Sequence, residues 1–359
     1  MKNKLIHDSI LCKVVLFLHF TTCHTNKPMM QFTTKTELPI GELHITHESN
    51  MILIGSCFAG NIGSKLSERK FRIDANPFGV QYNPMSIASV LKRIASGEPF
   101  GECSEEIFEH NGQWHSIMHH SDFSDSSKGG LLGKINSRLR QANDAAKGCD
   151  LVIVTLGTAY AYSRKSDGRI VGNCHKLPAR EFNRRLLGID EIVAELGNVI
   201  EIYRRVNGNV KFLFTISPIR HLRDGAHDNQ KSKSTLLLAV DELIKRYSCC
   251  YYFPAYEIVL DELRDYRFYA DDMLHPSAVA VKYIWECFDK CYFSDATREL
   301  NSNVEEITRG LEHRPFDAES DGYRKFIGSL VDKMNNLTKR HPGLDFGKEI
   351  RECNTLLKR

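Results

Sequence analysis

From residue 51 onward, short apolar runs alternate with longer stretches in which apolar residues recur at helical spacing. The apolar runs predict buried strands over 51–55, 71–75, 151–157, 211–217 and 250–253. The other stretches predict helices over 57–69, 85–96, 130–147, 190–206, 230–247 and 277–293. Because strands that alternate with helices are typical of a parallel sheet, the pattern predicts a doubly wound α/β sandwich of about 250 residues.

Two inserts and the end of the chain depart from this alternation. Residues 105–117 predict a hairpin that turns at an Asn-Gly pair, and residues 159–172 predict a second that turns at an Asp-Gly pair. Beyond residue 293 the pattern predicts helices and no further strand. The sandwich is therefore expected to carry inserted hairpins and a helical C-terminal tail.

The first 28 residues contain an apolar stretch over 10–20 behind a basic start. It resembles a signal peptide, although Lys13 interrupts it, no small-residue cleavage site follows, and it is too short to span a bilayer. We interpret the extension as a start codon assigned too early, with Met29 or Met30 as the initiator. Eleven scattered cysteines without a C-x-x-C pair favour a reducing compartment, so a cytoplasmic protein is predicted, with export as the alternative.

Composition and charge exclude several classes of protein. Hydrophobic residues make up 42% of the 359 residues and charged residues 26%, and the formal net charge is +3. These values exclude a disordered chain and predict neither a nucleic-acid partner nor a stable membrane span, and they leave the oligomeric state open. No glycine-rich phosphate loop occurs and the histidines match no metal-ligand spacing, so no cofactor and no metal are predicted.

The residues after the first strand are candidates for chemistry, because ligands bind at the carboxyl ends of parallel strands. Gly55 permits a tight turn there, and Ser56 follows at the start of a helix, where backbone N–H groups favour negative charge. Ser56 is a candidate nucleophile, with a helix-capping role as the alternative. Cys57 is the rival nucleophile, but its side chain should point about 100° away and pack against the sheet.

A second group of candidates lies on the loop before the helix predicted over 277–293. Asp272 precedes His275 by three residues, a spacing that lets the carboxylate hold one ring nitrogen while the other faces a nucleophile. Asp271 is the alternative partner for the histidine. Because Ser56 and this loop flank the same end of the predicted sheet, the three residues Ser56, Asp272 and His275 form a candidate triad.

Six ordered motifs give the chain a resemblance to the GSCFA domain family, which is similar to the SGNH (GDSL-like) hydrolases. They are Gly55-Ser-Cys-Phe-Ala59, Asn76-Pro-Phe-Gly79, Trp114-His-Ser116, Asn173-Cys-His-Lys176, Ser217-Pro-Ile-Arg-His221 and Asp272-Met-Leu-His-Pro276. The resemblance covers residues 32–348. The chain is accordingly divided into an extension over 1–28, a catalytic domain over 32–298 and a helical appendage over 299–359.

The resemblance implies a three-layer α/β/α sandwich with a five-stranded parallel sheet. It also implies Ser56 as the nucleophile, His275 as the general base and Asp272 as the carboxylate that orients it. The activity implied is that of an O-acyl esterase or acyltransferase acting on a glycan or another small-acyl ester. A catalytically silent module that binds a glycan is the alternative.

The resemblance also implies an oxyanion hole that a glycine and an asparagine complete. Gly79 is the counterpart of that glycine, but the asparagine is missing where it should follow the third strand, and Thr158 stands there. Asn76 is the preferred replacement, with Thr158 and Asn173 as the others. The pairs His175-Lys176 and Arg220-His221 form a basic rim that suits an anionic or hydroxyl-rich substrate.

Overall fold

A five-stranded parallel sheet forms the centre of the protein in a computed structural model that describes residues 33–317 and 319–358. In chain order the strands are β1 (Asn50–Gly55), β2 (Arg72–Ala75), β3 (Ile107–His110), β4 (Gln113–Ser116), β5 (Leu151–Leu156), β6 (Tyr160–Arg164), β7 (Ile170–Val171), β8 (Phe182–Leu186), β9 (Lys211–Ile216) and β10 (Cys250–Phe253). The central sheet has the order β10-β9-β5-β1-β2, and all its neighbouring strands are parallel. The five predicted strands are confirmed, with ends that agree to within one residue.

Helices cover both faces of this sheet and continue into the tail. In chain order they are α1 (Cys57–Glu68), α2 (Pro84–Ser96), α3 (Lys128–Lys147), α4 (Ile189–Val206), α5 (Ala226–Arg246), α6 (Ala278–Tyr292), α7 (Asp295–Glu312), α8 (Asp321–Arg340) and α9 (Gly347–Leu357). Apolar faces of α2 to α5 pack on one side of the sheet, and those of α1 and α6 pack on the other. The three-layer α/β/α fold is therefore confirmed.

The two cores follow from the alternation of side chains along each strand. Ile52 and Val152 belong to the core under α2 to α5, whereas their neighbours Leu53 and Ile153 belong to the core under α1 and α6. Successive side chains of a strand point to opposite faces, so a run that is apolar at every position must be covered on both sides. This is why the strands of the central sheet appear in the sequence as unbroken apolar runs.

The two predicted hairpins form, and one of them gains a strand. β3 and β4 pair across Asn111 and Gly112, which both adopt positive φ, the requirement of a tight hairpin turn. β6 pairs with β7 as predicted, but also with β8, which the pattern did not predict. The inner residues of β8 are polar and exposed, so no apolar alternation marks it as a strand.

The tail helices α7 to α9 bury a third apolar cluster of their own. They contact the end of α1 through ion pairs, among them Lys70 Nζ with Glu349 Oε1 at 2.5 Å and Arg69 with Glu305. Residues 36–359 form one compact unit. The predicted extension over 1–28, with its apolar stretch, lies outside the described residues. Within 33–317 and 319–358, no helix is long and apolar enough to cross a bilayer.

Candidate active site

The carboxyl ends of β1, β5 and β9 open into a cavity of about 540 Å³. Polar and reactive side chains line its inner part: Ser56, Cys57, Asn83, Thr158, Ser217, His221 and His275. The sheet β6–β8 and the loop after β9 form its outer part with tyrosines and charged residues: Tyr160, Tyr162, Arg184, Arg220, Arg223 and Asp224. A cavity of this size accommodates a small-molecule ligand.

Ser56 lies where β1 turns into α1. The turn depends on Gly55, which has a φ of 151°, and a Cβ added there would lie 2.2 Å from the Thr155 carbonyl oxygen. Ser56 holds the N-cap position but makes no side-chain cap bond, so the capping alternative is not what the structure shows. Its Oγ is buried and has no hydrogen-bond partner among the described residues. The Ser56 hydroxyl thus lies at the end of β1 without a hydrogen bond to the described residues, although buried hydroxyls normally have one.

Asp272 and His275 form a hydrogen-bonded pair on the loop before α6. Asp272 Oδ2 lies 2.5 Å from His275 Nδ1, and Asp272 Oδ1 accepts the N–H groups of Leu274 and His275, each at 2.9 Å. These backbone N–H groups, that of His275 first, lower the pKa of Asp272 to about 2. The ionised carboxylate therefore accepts the Nδ1 proton, which leaves Nε2 free to take another. Asp271, the alternative partner, makes no hydrogen bond to His275 among the described residues.

The expectation that Cys57 packs against the sheet is only partly met: Cys57 packs on the core under α1 and α6, but it also reaches the cavity. Cys57 lines the cavity beside Ser56, and its Sγ lies 4.0 Å from His275 Nε2 and 4.0 Å from Tyr82 Oη. The expectation assumed a helical step between the two residues, but Ser56 has extended backbone and α1 begins only at Cys57. Both side chains therefore reach the cavity, and His275 Nε2 has two candidate nucleophiles beside it.

Gly79 and Asn76 build a turn and are not among the described residues that line the cavity. The Gly79 N–H donates to the Asn76 carbonyl at 2.8 Å, so this donor is used within the turn. The Asn76 side chain accepts the Gly55 N–H through Oδ1 at 2.9 Å. The assignment of both residues to the oxyanion hole is corrected accordingly: Asn76 holds Gly55, the residue before Ser56, and Gly79 closes the turn on Asn76.

Thr158 and Asn173, the other predicted donors, do line the cavity. Thr158 Oγ1 accepts the Tyr160 N–H at 3.1 Å and lies 3.0 Å from Ser232 Oγ. Asn173 Oδ1 accepts the His175 N–H at 2.9 Å. The amide of Asn173 therefore holds the following turn, whereas Thr158 follows β5, a strand of the central sheet.

Half of the predicted basic rim lies elsewhere, and the other half is less charged than expected. His175 and Lys176 line a separate cavity of about 230 Å³, where His175 Nε2 lies 2.8 Å from the Ser116 carbonyl. Arg220 and His221 line the main cavity, but burial lowers the pKa of His221 to about 4. His221 is thus neutral at pH 7, and Arg220 supplies the charge of the pair.

Two buried polar residues beside the site were missed from the sequence. Asn83 caps α2 through Oδ1, which accepts the Ser86 N–H at 2.9 Å, and the residue lines the cavity. The Asn-Pro pair that starts α2 is a recognisable capping signal, although it does not reveal the cavity. Lys233 interrupts the apolar stripe of α5 and is completely buried. Its Nζ donates to the carbonyls of Gly157 and Ser217, each at 2.7 Å.

Comparison with known proteins gives matches to two family profiles and to solved structures. The profile described as the GSCFA family matches residues 50–288, and that of the GSCFA domain protein, C-terminal domain, matches residues 304–359. No curated protein matches the chain. An acetyl xylan esterase (Est2A) from the rumen bacterium Butyrivibrio proteoclasticus is similar over 72% of this chain and 64% of its own, with 12% identity and a TM-score of 0.34. The chain thus spans less than two thirds of that esterase.

Proposed function

This chain belongs to the GSCFA family, and from that premise we propose that it is a serine hydrolase that cleaves acyl esters. The observation that carries the proposal is the Asp272–His275 pair, whose free Nε2 lies beside the turn that presents Ser56. An oriented histidine next to an unpartnered hydroxyl is the arrangement that acyl transfer requires.

In this mechanism Ser56 Oγ attacks the carbonyl carbon of the ester, and His275 Nε2 takes the hydroxyl proton. Asp272 accepts the Nδ1–H bond and stabilises the imidazolium that forms. The tetrahedral intermediate expels the alcohol, which receives the proton from His275, and an acyl-Ser56 ester remains. Water then attacks that ester and releases the acid, or a second alcohol attacks it and carries the acyl group away.

Ser56 is preferred to Cys57 as the nucleophile for two reasons. Its Oγ is buried and without a hydrogen-bond partner in the described parts of the chain, and the glycine turn before it is built to present this residue. Cys57 Sγ at 4.0 Å from Nε2 is the direct rival. No hydrogen bond joins Ser56 Oγ to His275 among the described residues, so the mechanism requires the hydroxyl to turn toward Nε2 when the substrate binds, as is typical of sites without bound substrate.

Asn83 is our candidate for the side-chain donor of the oxyanion hole. Because Ser86 N–H holds its Oδ1, the amide NH₂ is turned away from that bond, and the residue lines the cavity with Ser56. Thr158 is the second donor, since a bond from Ser232 Oγ–H to Thr158 Oγ1 would leave the threonine proton free. The Ser56 N–H bond to Thr155 O is long, at 3.3 Å, so an oxyanion can compete for that donor.

The substrate class follows from the resemblance to the SGNH hydrolases and is an acetyl or other small-acyl ester of a glycan. A silent glycan-binding module is the second candidate. It is favoured by one observation: the N–H groups of Ser56 and Gly79 are both bonded within the protein, which leaves the oxyanion hole dependent on side chains.

Hydrolysis of p-nitrophenyl acetate tests the proposal. We expect Ser56→Ala to lower kcat by about 10³ or more, because it removes the attacking atom, and Cys57→Ala to lower it by less than about tenfold. Thermal unfolding of both variants serves as the control for folding. The reverse pattern would identify a thiol nucleophile, and wild-type activity no higher than that of Ser56→Ala would favour the silent module.

A further inference from the structure

Arg220 is a cation without a partner inside the cavity. Its Nε–H is buried and finds no hydrogen-bond acceptor among residues 33–317 and 319–358, and the guanidinium forms no ion pair with a described carboxylate. The guanidinium lies over the Tyr269 ring, whose centroid is 5.3 Å away. A buried N–H that lacks a partner marks a position where a ligand can supply one.

The other two arginines of the cavity are either paired with a carboxylate or open to solvent. Arg184 pairs with Asp224 at 2.5 Å and packs on the face of Tyr160, with 3.7 Å to the ring centroid. Arg223 is exposed to solvent, which screens its charge. Three arginines thus line the cavity against the single carboxylate of Asp224, and the excess positive charge that is partly withdrawn from water is that of Arg220.

Arg220 also lies near the reacting groups. Its stacking partner Tyr269 belongs to the loop of the proposed base, because Tyr269 forms a bridge with Pro276, the residue after His275. Arg220 and His275 line the same cavity. An anion held by Arg220 would therefore belong to the molecule whose ester is cleaved.

We propose that the alcohol part of the substrate carries a carboxylate, which Arg220 binds; this inference rests on the proposed esterase function. The planar guanidinium fork matches the two oxygens of a carboxylate, and Arg220 is the one described arginine of the cavity that is both unpaired and partly withdrawn from water. A cavity of about 540 Å³ is much larger than an acetyl group requires, so most of it accommodates the alcohol. An acylated uronic acid is the simplest substrate with these features.

The test compares two esters that differ in charge alone: the tri-O-acetate of methyl glucuronide and the same compound with its carboxylate converted to the primary amide. We expect wild type to prefer the acid by about tenfold to a hundredfold in kcat/KM for acetate release, the range of a charge-assisted hydrogen bond. Arg220→Gln should reduce this ratio to about one. Arg220→Lys, which keeps the charge but loses the fork, should retain a smaller preference.

Arg223→Gln is the matched control, since it removes an exposed arginine from the same loop and should preserve most of the preference. If both glutamine variants lost the preference for the acid equally, the overall positive charge of the cavity would be its cause. That result would overturn the assignment to Arg220. Equal rates for acid and amide in wild type would overturn the proposal as a whole.

Binding separates this inference from the esterase proposal. Calorimetry of both compounds with Ser56→Ala, which cannot turn them over, should show tighter binding of the acid, and Arg220→Gln in that background should abolish the difference. If wild type hydrolyses no ester but this difference persists, the carboxylate site stands and the esterase function fails. If p-nitrophenyl acetate is hydrolysed but acid and amide bind alike, the esterase function stands and the carboxylate site fails.

Discussion

The inner and outer parts of the cavity are built in different ways. The reacting groups of the inner part come from two short segments, Gly55–Ser56 and Asp272–His275. Bonds within the second segment fix His275, and Asn76, directly after the neighbouring strand β2, holds Gly55. The outer part joins side chains that are far apart in the sequence, as in the ion pair of Arg184 with Asp224. Bonds to backbone groups thus position the proposed catalytic residues, whereas contacts between side chains of distant segments form the part that would bind the substrate.

This difference separates two kinds of substitution. A change in the inner part should alter kcat with little effect on which ester is chosen, because the bonds that position Ser56 and His275 do not involve the outer residues. A change in the outer part should alter KM and the choice of ester. The predictions below test whether the two parts are as independent as their construction indicates.

The largest effect is expected from the carboxylate behind the histidine. Asp272→Asn should lower kcat by about 10³–10⁴, because an amide cannot accept the Nδ1 proton as the carboxylate does and the wrong tautomer of His275 results. The measurement is kcat for p-nitrophenyl acetate. Asp271→Asn is the matched control one residue away and should leave kcat within about twofold, since Asp271 makes no hydrogen bond to His275 among the described residues. If Asp271→Asn were the damaging change, the assignment of the pair would be wrong.

The next effect tests the proposed donor at the boundary of the two parts. Asn83→Asp keeps an oxygen for the Ser86 N–H, so α2 stays capped, but it removes the amide donor. We expect kcat to fall by about 10²–10³, the usual cost of losing one oxyanion donor, with the melting temperature nearly unchanged.

A neutral variant separates loss of the Asn83 donor from the charge that aspartate adds. Asn83→Ser also caps helices but is too short to reach the oxyanion, so it should lose as much activity as Asn83→Asp. Full activity in Asn83→Ser would indicate that Thr158, and not Asn83, is the side-chain donor to the oxyanion. Thr158→Val would then be the damaging change.

The sequence predicts the fold and the inner part well because both are encoded over short distances. The five strands are unbroken apolar runs, and the turn at Gly55 and the Asp272–His275 pair each occupy a few consecutive residues. Cys57 was misjudged because the backbone angles of Ser56, which decide where the helix begins, are not visible in the residue types. The catalytic roles themselves stay predictions.

The sequence identified Arg220 as part of a basic rim, but the contacts of the outer part were not predictable because they depend on tertiary structure. β8, which carries Arg184, has no apolar alternation, and nothing in the sequence joins Arg184 to Asp224 or leaves Arg220 unpaired. Asn76 and Gly79 were assigned to the oxyanion hole from their position after a strand, whereas the structure uses them within a turn. Residue type and strand-end position identify candidates, but hydrogen-bond partners decide among them.

The smallest effect concerns Lys233, which lies beneath both parts and joins the carbonyls that follow β5 and β9. Burial lowers the pKa of Lys233 from 10.5 to about 7, because the ammonium is withdrawn from water. Between these two values the unfolded chain binds one proton more than the folded chain. Lys233 should therefore make the free energy of unfolding rise with pH from about 7, by up to about 1.4 kcal/mol per pH unit, and its contribution to the slope should vanish below pH 7, where both states hold the proton.

Urea unfolding at pH 7, 8 and 9 measures this slope, and Lys233→Met should lose it relative to wild type. Lys231→Met is the matched control on the same helix, because Lys231 is exposed and pairs with Asp228 at 3.2 Å.

Comparison with the variants is necessary because buried thiols change stability in the opposite direction. Burial raises the pKa of Cys149 to about 12, so the unfolded thiol ionises first and stability falls toward pH 9. His221, with a pKa of about 4, does not titrate in this range. Equal slopes in wild type and Lys233→Met would show that Lys233 keeps its proton in the folded state, so that it joins the two strand ends as a cation throughout this range.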